Sequence, residues 1–424
     1  MQDTPPVLSL RAVTFPRVPH PICTWKVPAA RDGSLNDYDY MIIGGGMTAH
    51  AAARGVREVD PAGTIALIGD EPHRPYARPP LSKGLWQGKP EESVWLGELP
   101  PGVTSKVARI RAIDRAAREV RDDQGERYRY RKLLLATGGS PRRIPAGGDR
   151  VIHYRTLDDY HRLRSLAPGA RVAVIGGGFI GSEIAAALTP LASKVTLLFP
   201  EPGICARTLP STLSRYVTEL YRSKGVEVLA GETVASVDAS ESRVRVATQG
   251  GQSVDADVVV VGIGIRPNVE LAEAAGLAVE NGIEVNEQLQ TSDPDIYAAG
   301  DVARFHSPHL GKRIRVEHED AANPMGLEAG RSMAGAPVRY SHLPFFYSDL
   351  FELGYEAVGE IDSRYQAIAE WKREYLEGVV YFLDAGRVRG VLLWNVWGQV
   401  EAGRELIAHP GPFAPEDLGG RIPI

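Results

Sequence analysis

The sequence predicts an α/β fold class with two Rossmann-like dinucleotide-binding domains and a C-terminal α+β domain. Three observations predict it. A strand, a glycine-rich turn and a helix follow one another near residue 44, and the same order returns near residue 176. The length of 424 residues allows two or three domains at ~150 residues each. The 45 glycines and 31 prolines suit a loop-rich α/β protein better than a helical bundle.

The composition excludes several other classes. The net charge of −5 argues against nucleic acid as the main partner, because phosphate binding needs a basic face. Two cysteines, Cys23 and Cys205, are too few for a disulfide framework or a Cys-rich zinc site. His73 and His306 lack the spacing of metal ligands, so no metal site is expected. No stretch approaches ~20 consecutive apolar residues, so no membrane-spanning helix is expected either.

Residues 1–37 contain six prolines and no periodic apolar pattern, which predicts an extended arm. They lack an apolar core in front of a cleavage site, so a secretory signal is not expected. Transit peptides are Arg-rich and acid-poor, and this segment mixes basic with acidic residues. We therefore expect a cytoplasmic protein, with a mitochondrial leader in residues 1–37 as the alternative.

The first glycine turn lies between a strand predicted over residues 37–43 and an Ala-rich helix. Gly44 allows the tight turn, Gly46 lets the backbone approach a pyrophosphate, and the small Ala49 allows close packing of the helix on the strand. The next strand, residues 64–68, is followed by Asp70 and Glu71, where an acid holds a ribose hydroxyl. The predicted contacts of the turn itself are Gly44, Gly45, Gly46, Met47, Thr48 and Ala49.

The second glycine turn repeats this construction with a strand over residues 171–175 and a helix over 182–188. One such turn also arises from packing alone, but two with the same context predict two dinucleotides. FAD and a nicotinamide form the economical pair, because hydride passes between them. Glu201, just past the strand at residues 194–199, favours NAD(H) over NADP(H), although the neighbouring Arg207 works against that preference. The predicted contacts of this turn are Gly177, Gly178, Phe179 and Ile180.

Three later segments complete a known pattern. Residues 131–139 predict a buried strand that ends in a Thr-Gly-Gly turn, residues 257–268 predict a second one, and residues 291–301 read Thr-Ser-Asp-Pro-Asp-Ile-Tyr-Ala-Ala-Gly-Asp. Together with the glycine turns they resemble the two-dinucleotide-domain flavoprotein reductases. The resemblance implies that Asp301 binds the ribityl chain of FAD and that the FAD domain is discontinuous. It predicts an N-terminal arm (1–37), an FAD-binding domain (38–140 and 265–341), an NAD-binding domain (141–264) and a C-terminal α+β domain (342–424).

Many members of that superfamily carry a redox-active cysteine pair beside the flavin. In this chain Cys23 precedes the first fold and Cys205 stands alone after the second turn. Without a pair, dithiol–disulfide exchange at the flavin is excluded. Electrons are therefore expected to leave the flavin directly.

A narrower resemblance lies in the segment from Pro75 to Lys83, Pro-Tyr-Ala-Arg-Pro-Pro-Leu-Ser-Lys. It is similar to a segment shared by apoptosis-inducing factor and the oxygenase-type ferredoxin reductases. This resemblance implies that Arg78 contacts FAD and that Lys83 lies against the isoalloxazine. The regulatory hairpin and the long C-terminal insertion of animal apoptosis-inducing factors look absent, and Tyr347 replaces a usual Trp. Further segments resemble apoptosis-inducing factor more closely, namely residues 178–183, 198–201, 315–318, 354–359 and 393–395.

Lys83 and Glu183 are the first catalytic candidates. A buried ammonium beside the flavin would stabilise negative charge in the reduced ring, and it needs a partner to stay charged when desolvated. We therefore hypothesise a Lys83–Glu183 ion pair. The alternative is a surface lysine and a glutamate favoured by the dipole at a helix N-terminus.

His318 is the third catalytic candidate, with Glu317 and Glu319 as cofactor contacts beside it. They precede a helix predicted over residues 321–333, and a helix N-terminus aimed at the flavin would stabilise the anionic reduced ring. In apoptosis-inducing factors the matching Glu and His contact the flavin and the nicotinamide. The alternative is a capping cluster whose acids satisfy the helix N–H groups.

The remaining cofactor contacts are implied by the resemblance. For Tyr347, a core position in the C-terminal sheet is the alternative. Those expected on the FAD side are Asp70, Glu71, Arg78, Ile110 and Arg155, and the others are Glu201, Arg207, Gly264, Tyr347, Glu356 and Asn395.

The leading function is an FAD-dependent NAD(P)H oxidoreductase similar to apoptosis-inducing factor. It would transfer hydride from NADH to flavin N5, with slow or carrier-mediated reoxidation by ferredoxin, quinone or oxygen. One alternative is a ferredoxin- or rubredoxin-type reductase, whose acidic partner would dock on a basic rim. Another is an NADH-sensing switch that holds a long-lived charge-transfer complex. A redox-dependent homodimer is a further expectation. The candidates for the basic rim are Arg142, Arg143, Arg313 and Arg315.

Overall fold

The computed structural model describes residues 36–424. The arm predicted at residues 1–37, with Cys23, lies outside this range except for residues 36 and 37, which open the first strand. No helix within residues 36–424 is long and apolar enough to cross a membrane.

The first sheet is built on an apolar strand whose residues 40–43 are fully buried. Its order is β3-β2-β1-β6-β5-β4, with β1 parallel to both β2 and β6. Two 3₁₀ turns, Pro79–Ser82 and Glu91–Val94, interrupt the crossover between β2 and β3. The elements are β1 (Asn36–Ile43), α1 (Met47–Val59), β2 (Ile65–Gly69), β3 (Val103–Val107), β4 (Ile110–Asp114), β5 (Glu119–Asp122), β6 (Arg127–Leu135) and β7 (Gly139–Pro141).

The second sheet is fully parallel and is joined to a separate three-stranded antiparallel sheet. The parallel order is β11-β10-β9-β15-β8, and the small sheet is β12-β13-β14. The elements are β8 (Val151–His153), α2 (Leu157–Leu166), β9 (Arg171–Ile175), α3 (Phe179–Leu188), β10 (Lys194–Phe199), α4 (Ser211–Ser223), β11 (Glu227–Ala230), β12 (Val234–Ala239), β13 (Val244–Thr248), β14 (Ser253–Ala256) and β15 (Val258–Val261).

The chain then returns to the first sheet. β16 pairs antiparallel with β7, and β19 adds to β6 in parallel, which brings the following 3₁₀ turn Gly300–Val302 to the carboxyl end of that sheet. The domain boundaries after residues 140, 264 and 341 stay a prediction. The elements are β16 (Ile265–Pro267), α5 (Glu270–Ala274), β17 (Val279–Glu280), β18 (Gly282–Glu284), β19 (Ile296–Ala298), β20 (Ala303–Ser307), β21 (Lys312–Ile314) and α6 (Glu319–Met333).

The C-terminal part is an antiparallel sheet of order β22-β23-β26-β25-β24 with one helix packed on it. The predicted α/β class, with two Rossmann-type sheets and a C-terminal sheet domain, is confirmed. The helix α6 begins two residues earlier than predicted, at Glu319. The elements are β22 (Phe345–Leu350), β23 (Leu353–Gly359), β24 (Gln366–Arg373), β25 (Glu377–Asp384), β26 (Arg387–Trp394), α7 (Val400–Ala408) and a last 3₁₀ turn, Pro415–Asp417.

Candidate active site

A cavity of about 970 Å³ lies where the two Rossmann-type sheets and β22 meet. Its wall comes from the glycine turn before α3, the Pro79–Ser82 turn, the start of α6 and the first residues of β22. Most predicted site residues line it: Met47, Arg78, Lys83, Arg155, Gly177, Gly178, Phe179, Ile180, Glu183, Glu201, Arg207, Gly264, Asp301, Glu317, His318, Glu319 and Tyr347.

Other predicted residues lie outside the wall of this cavity. Gly44, Gly45, Gly46, Thr48, Ala49, Asp70 and Glu71 form the β1–α1 turn and the end of β2, and Ile110 opens β4 within the apolar core. Glu356 lies on β23, opposite Leu393. Asn395 accepts from Gly354 N at 2.7 Å and donates to Leu376 O at 2.9 Å, so its amide joins two turns of the C-terminal sheet. The predicted nicotinamide contacts of Glu356 and Asn395 stay predictions.

Both glycine turns have the shape that a dinucleotide needs. Gly44 has φ of 131°, and a Cβ there would lie 2.2 Å from Ala136 O. Gly176 has φ of 117°, and a Cβ there would lie 2.4 Å from Gly262 O. The helices α1 and α3 start at Gly46 and Gly178 without a side-chain cap, and a Cβ at either glycine would meet open space. Each turn therefore leaves helix N–H groups free for a pyrophosphate.

Lys83 and Glu183 form an ion pair in the cavity wall. Lys83 Nζ lies 2.8 Å from Glu183 Oε2, and the two side chains are 11% and 2% exposed. Lys83 follows the Pro79–Ser82 turn, whereas Glu183 lies in the second turn of α3. The ammonium also lies 5.1 Å from the centre of the Tyr347 ring. The contacts thus match the hypothesised pair rather than an exposed lysine.

Two serines that sequence reasoning missed complete this pair. Ser82 Oγ donates to Glu183 Oε2 at 2.5 Å, and Ser348 Oγ donates to Glu183 Oε1 at 2.6 Å. Ser82 stands in the Pro-Leu-Ser-Lys segment that already singled out Lys83. Ser348 follows Tyr347 directly, so both serines carried a signal in their neighbours along the chain.

His318 is the N-cap residue of α6 and stacks on Phe346, with ring centres 4.6 Å apart. Burial lowers the pKa of His318 to about 4, so the imidazole is neutral at pH 7. Burial also raises the pKa values of Glu317 and Glu319. Arg315 Nη1, 2.9 Å from Glu317 Oε1, opposes that rise. No side-chain hydrogen bond caps the start of α6, so these contacts do not match the capping alternative.

A second charged cluster lies beside the first glycine turn. Arg78 pairs with Glu71 and donates to Arg155 O at 3.1 Å, while Arg155 Nη2 lies 2.7 Å from Asp301 Oδ2. Burial opposes ionisation of Glu71, but Arg78 and the Tyr76 hydroxyl together hold the pKa of Glu71 below its usual value. These contacts hold the cluster together across the boundary between the two Rossmann-type sheets.

Glu201 and Arg207 meet at the other end of the cavity. Arg207 Nη2 lies 2.5 Å from Glu201 Oε1, and the arginine side chain is 82% exposed. Glu201 stands just beyond the end of β10, which is where the fingerprint requires an acid. A carboxylate and an exposed guanidinium therefore share the place where a nucleotide ribose would lie.

Cys205 is the free cysteine of the described residues. It lines the cavity, and burial raises the pKa of its thiol to about 12. A thiol that stays protonated is a poor nucleophile. Within residues 36–424, no group of three or more His, Cys, Asp or Glu side chains is arranged to hold a metal ion.

Comparison with known proteins agrees with this geometry. Residues 38–326 match the family model described as pyridine nucleotide-disulphide oxidoreductase. The chain is 34% identical to the mitochondrial apoptosis-inducing factor 1 of Dictyostelium discoideum, over 88% of this chain and 79% of that protein. It is also 34% identical to putidaredoxin reductase of Pseudomonas putida, over 91% of this chain and 95% of that protein.

Solved structures show the same likeness over nearly the whole length. The putidaredoxin reductase in a covalent complex with putidaredoxin superposes with a TM-score of 0.84 at 33% identity, covering 91% of this chain and 95% of that one. The ferredoxin reductase for the CYP199A2 system of Rhodopseudomonas palustris gives 0.82 at 31% identity, covering 89% and 96%. The predicted resemblance is confirmed: the chain belongs to the pyridine nucleotide-disulphide oxidoreductase family, and it is an FAD-dependent NAD(P)H oxidoreductase.

Proposed function

We propose that this enzyme oxidises NADH by hydride transfer to FAD, and that the electrons leave without a protein dithiol. The observation that carries the proposal is the buried Lys83–Glu183 pair in the wall of a cavity that is also lined by the second glycine turn and by Met47, the first residue of α1. An uncompensated buried charge costs several kcal/mol, roughly. A buried ion pair in the wall of a cavity therefore favours a role for its charge in binding or catalysis.

The residues present fit FAD on the side of the first glycine turn. The open N-terminus of α1 suits the pyrophosphate, and Arg78 and Asp301 line the cavity where the flavin end would lie. Bound FAD would supply the acceptor for the hydride (two electrons and one proton) that NADH would lose in becoming NAD⁺. The chain's own residues have only to position both rings and stabilise the charge.

Lys83 stabilises negative charge at the flavin edge. Its ammonium is held in one place before the reaction, so no reorganisation is needed when the charge develops. Glu183 is the counter-ion of the ammonium in a poorly hydrated wall. The neutral His318 adds a polar but uncharged surface to the cavity wall, at the positive end of α6.

Glu201 supports a preference for NADH. Its carboxylate accepts from a ribose 2′-hydroxyl and repels a 2′-phosphate. Arg207 pairs with it and is free to swing outward, which would soften the discrimination. We therefore propose that NADH is preferred and that NADPH is a slower substrate.

The test is anaerobic stopped-flow mixing of the FAD-loaded protein with NADH or NADPH, followed by admission of air. We expect NADH to bleach the flavin faster than NADPH. Lys83→Ala should slow the reduction about 10- to 100-fold, because a single preorganised charge contributes about that much. Lys89→Ala, an exposed lysine of the same segment, is the control and should behave as the wild type.

The outcome for Lys83 decides the mechanism. A Lys83→Ala protein with an unchanged flavin spectrum and an unchanged rate of reduction by NADH would contradict the proposed role. A wild-type flavin that neither nucleotide reduces would contradict the proposed function itself. A long-wavelength band that survives air would indicate slow reoxidation.

A one-electron carrier of the ferredoxin type is the second candidate for the acceptor. The chain covers 95% and 96% of two ferredoxin reductase structures, including their last domains. Arg142, Arg143 and Arg313 are exposed, whereas Arg315 is mostly buried against Glu317 and is not part of an exposed rim.

Two ferredoxins would be reduced for each NADH. Turnover with an acidic [2Fe–2S] ferredoxin should fall as salt rises, and a rate no higher than air oxidation would argue against this acceptor.

A further inference from the structure

Glu183 is held by donors from two separate parts of the chain. Oε2 accepts from Lys83 Nζ at 2.8 Å and from Ser82 Oγ at 2.5 Å, and Oε1 accepts from Ser348 Oγ at 2.6 Å. Glu183 lies on α3, Ser82 and Lys83 follow β2, and Ser348 lies on β22 of the C-terminal sheet. One carboxylate thus joins both Rossmann-type units and the C-terminal sheet.

The two serines satisfy the carboxylate without adding charge. Glu183, Ser82 and Ser348 are all buried, and Ser348 is 1% exposed. A buried carboxylate keeps its charge only when donors replace the lost water. Without the serines, the N–H groups of Lys83 would have to supply all of these hydrogen bonds to Glu183. With them, a single ammonium N–H contacts Glu183, and the other two can face the cavity.

We propose that Ser82 and Ser348 are positioning residues for hydride transfer, which fix the ionised carboxylate of Glu183 and thereby aim the ammonium of Lys83 at the flavin. This inference rests on the proposed function. Neither serine touches the nicotinamide or the flavin in this role. Both act through Glu183, and their effect appears as a loss of alignment rather than a loss of nucleotide binding.

Four ionisable groups near Glu183 are uncharged near pH 7. Burial raises the pKa of Cys205 and of Tyr347 to about 12, and it raises the pKa values of Tyr221 and Tyr355 well above 10. Glu319 faces Lys83 from the start of α6. Lys83 thus supplies the positive charge that contacts Glu183 directly.

The experiment compares Ser348→Ala and Ser82→Ala with the wild-type holoenzyme, and it uses Ser214→Ala as the matched control. Ser214 is equally buried, and its hydroxyl donates to Ile204 O at 2.7 Å, away from Glu183. Flavin content and the melting temperature are measured first. Anaerobic reduction by NADH is then followed as a function of NADH concentration, which separates the limiting rate from the Kd for NADH.

We expect each serine variant to lower the limiting rate of flavin reduction about tenfold, which is the loss expected for one hydrogen bond to a charged group. The Kd for NADH should stay unchanged. Ser214→Ala should leave both the limiting rate and the Kd for NADH unchanged.

Several results would overturn the inference. Wild-type limiting rates in both Ser82→Ala and Ser348→Ala would do so, as would an equal slowing in Ser214→Ala. If Ser348→Ala fails to fold or to retain FAD, Ser82→Ala, which acts on the other carboxylate oxygen, decides alone. A wild-type flavin that NADH does not reduce removes the proposed function and this inference together, whereas normal wild-type reduction with unaffected serine variants removes the inference alone.

Discussion

The surroundings of His318 determine whether its imidazole is charged. It lies against Phe346 and under the start of α6, and burial lowers its pKa to about 4. An unfolded chain would protonate the same histidine near pH 6.5 (roughly). Because the unfolded state binds the proton more tightly, this group favours folding fully above about pH 6.5, and that contribution is lost as the pH falls towards 4.

His318→Asn should therefore reduce the acid sensitivity of the fold. We expect the wild-type melting temperature to drop more between pH 7 and pH 4.5 than that of His318→Asn. Differential scanning calorimetry of the holoprotein at the two pH values measures this. His306→Asn, an exposed histidine of β20, is the control and should follow the wild type. Parallel losses in all three proteins would show that His318 does not carry this part of the acid response.

At the scale of single residues, the sequence predicted the residues that stand in motifs. It missed residues that are distant along the chain and meet the site only after folding. Lys83 and Glu183 were each found in a recognisable segment, and their pairing followed from chemistry. Ser348 is separated from Glu183 by 165 positions, so no local pattern reveals their hydrogen bond. A serine in a strand has many ordinary roles, and only the folded geometry separates them.

Among the elements, α3 shows most directly how sequence sets a nucleotide site. Its third fingerprint glycine, Gly181, lies so close to the turn that a Cβ there would sit 1.8 Å from Gly176 O. The helix therefore approaches the strand end only because that side chain is missing. The first turn has the small Ala49 at the equivalent position.

Gly181→Ala should push α3 away from the β9 turn. We expect a loss of about 1–3 kcal/mol in unfolding free energy, typical of overpacking, and weaker NAD(H) binding with normal FAD content. Fluorescence titration with NAD⁺ and the flavin-to-protein absorbance ratio measure the two. Gly419→Ala, where a Cβ meets open space, is the control. Unchanged NAD⁺ affinity in Gly181→Ala would show that α3 can move away from the β9 turn without weakening NAD⁺ binding.

The elements with strong periodic patterns were predictable, and the short ones were not. The strands β1, β9 and β10 and the helix α6 were predicted to within two residues of their bounds. By contrast, β7 and β16 have three residues each and pair across the whole inserted segment. Their existence depends on the approach of two distant turns, which local propensity does not encode.

At the scale of the whole molecule, the C-terminal sheet forms part of the wall of the candidate site. Its first strand, β22, brings Phe346 onto His318 and Ser348 onto Glu183. The sequence predicted an α+β domain here but not which strand would face the cavity, since that depends on how the domain docks. Asp320, in the first turn of α6, connects the two parts: its Oδ2 lies 2.6 Å from His342 Nε2 and 2.7 Å from Arg404 Nη2.

Arg404→Ala should loosen the C-terminal sheet from the flavin side of the molecule. Asp320 and Arg404 are largely buried, and removing one partner leaves a carboxylate with fewer donors, a loss of about 2 kcal/mol. Hydrogen exchange should accelerate in β22 and α7 while the parallel sheets keep their protection. Arg364→Ala removes an ion pair whose arginine is 86% exposed and serves as the control, because exposed pairs contribute little. If both variants change exchange to the same small extent, or if the parallel sheets lose protection as well, Asp320 is not the link that holds β22 against the cavity.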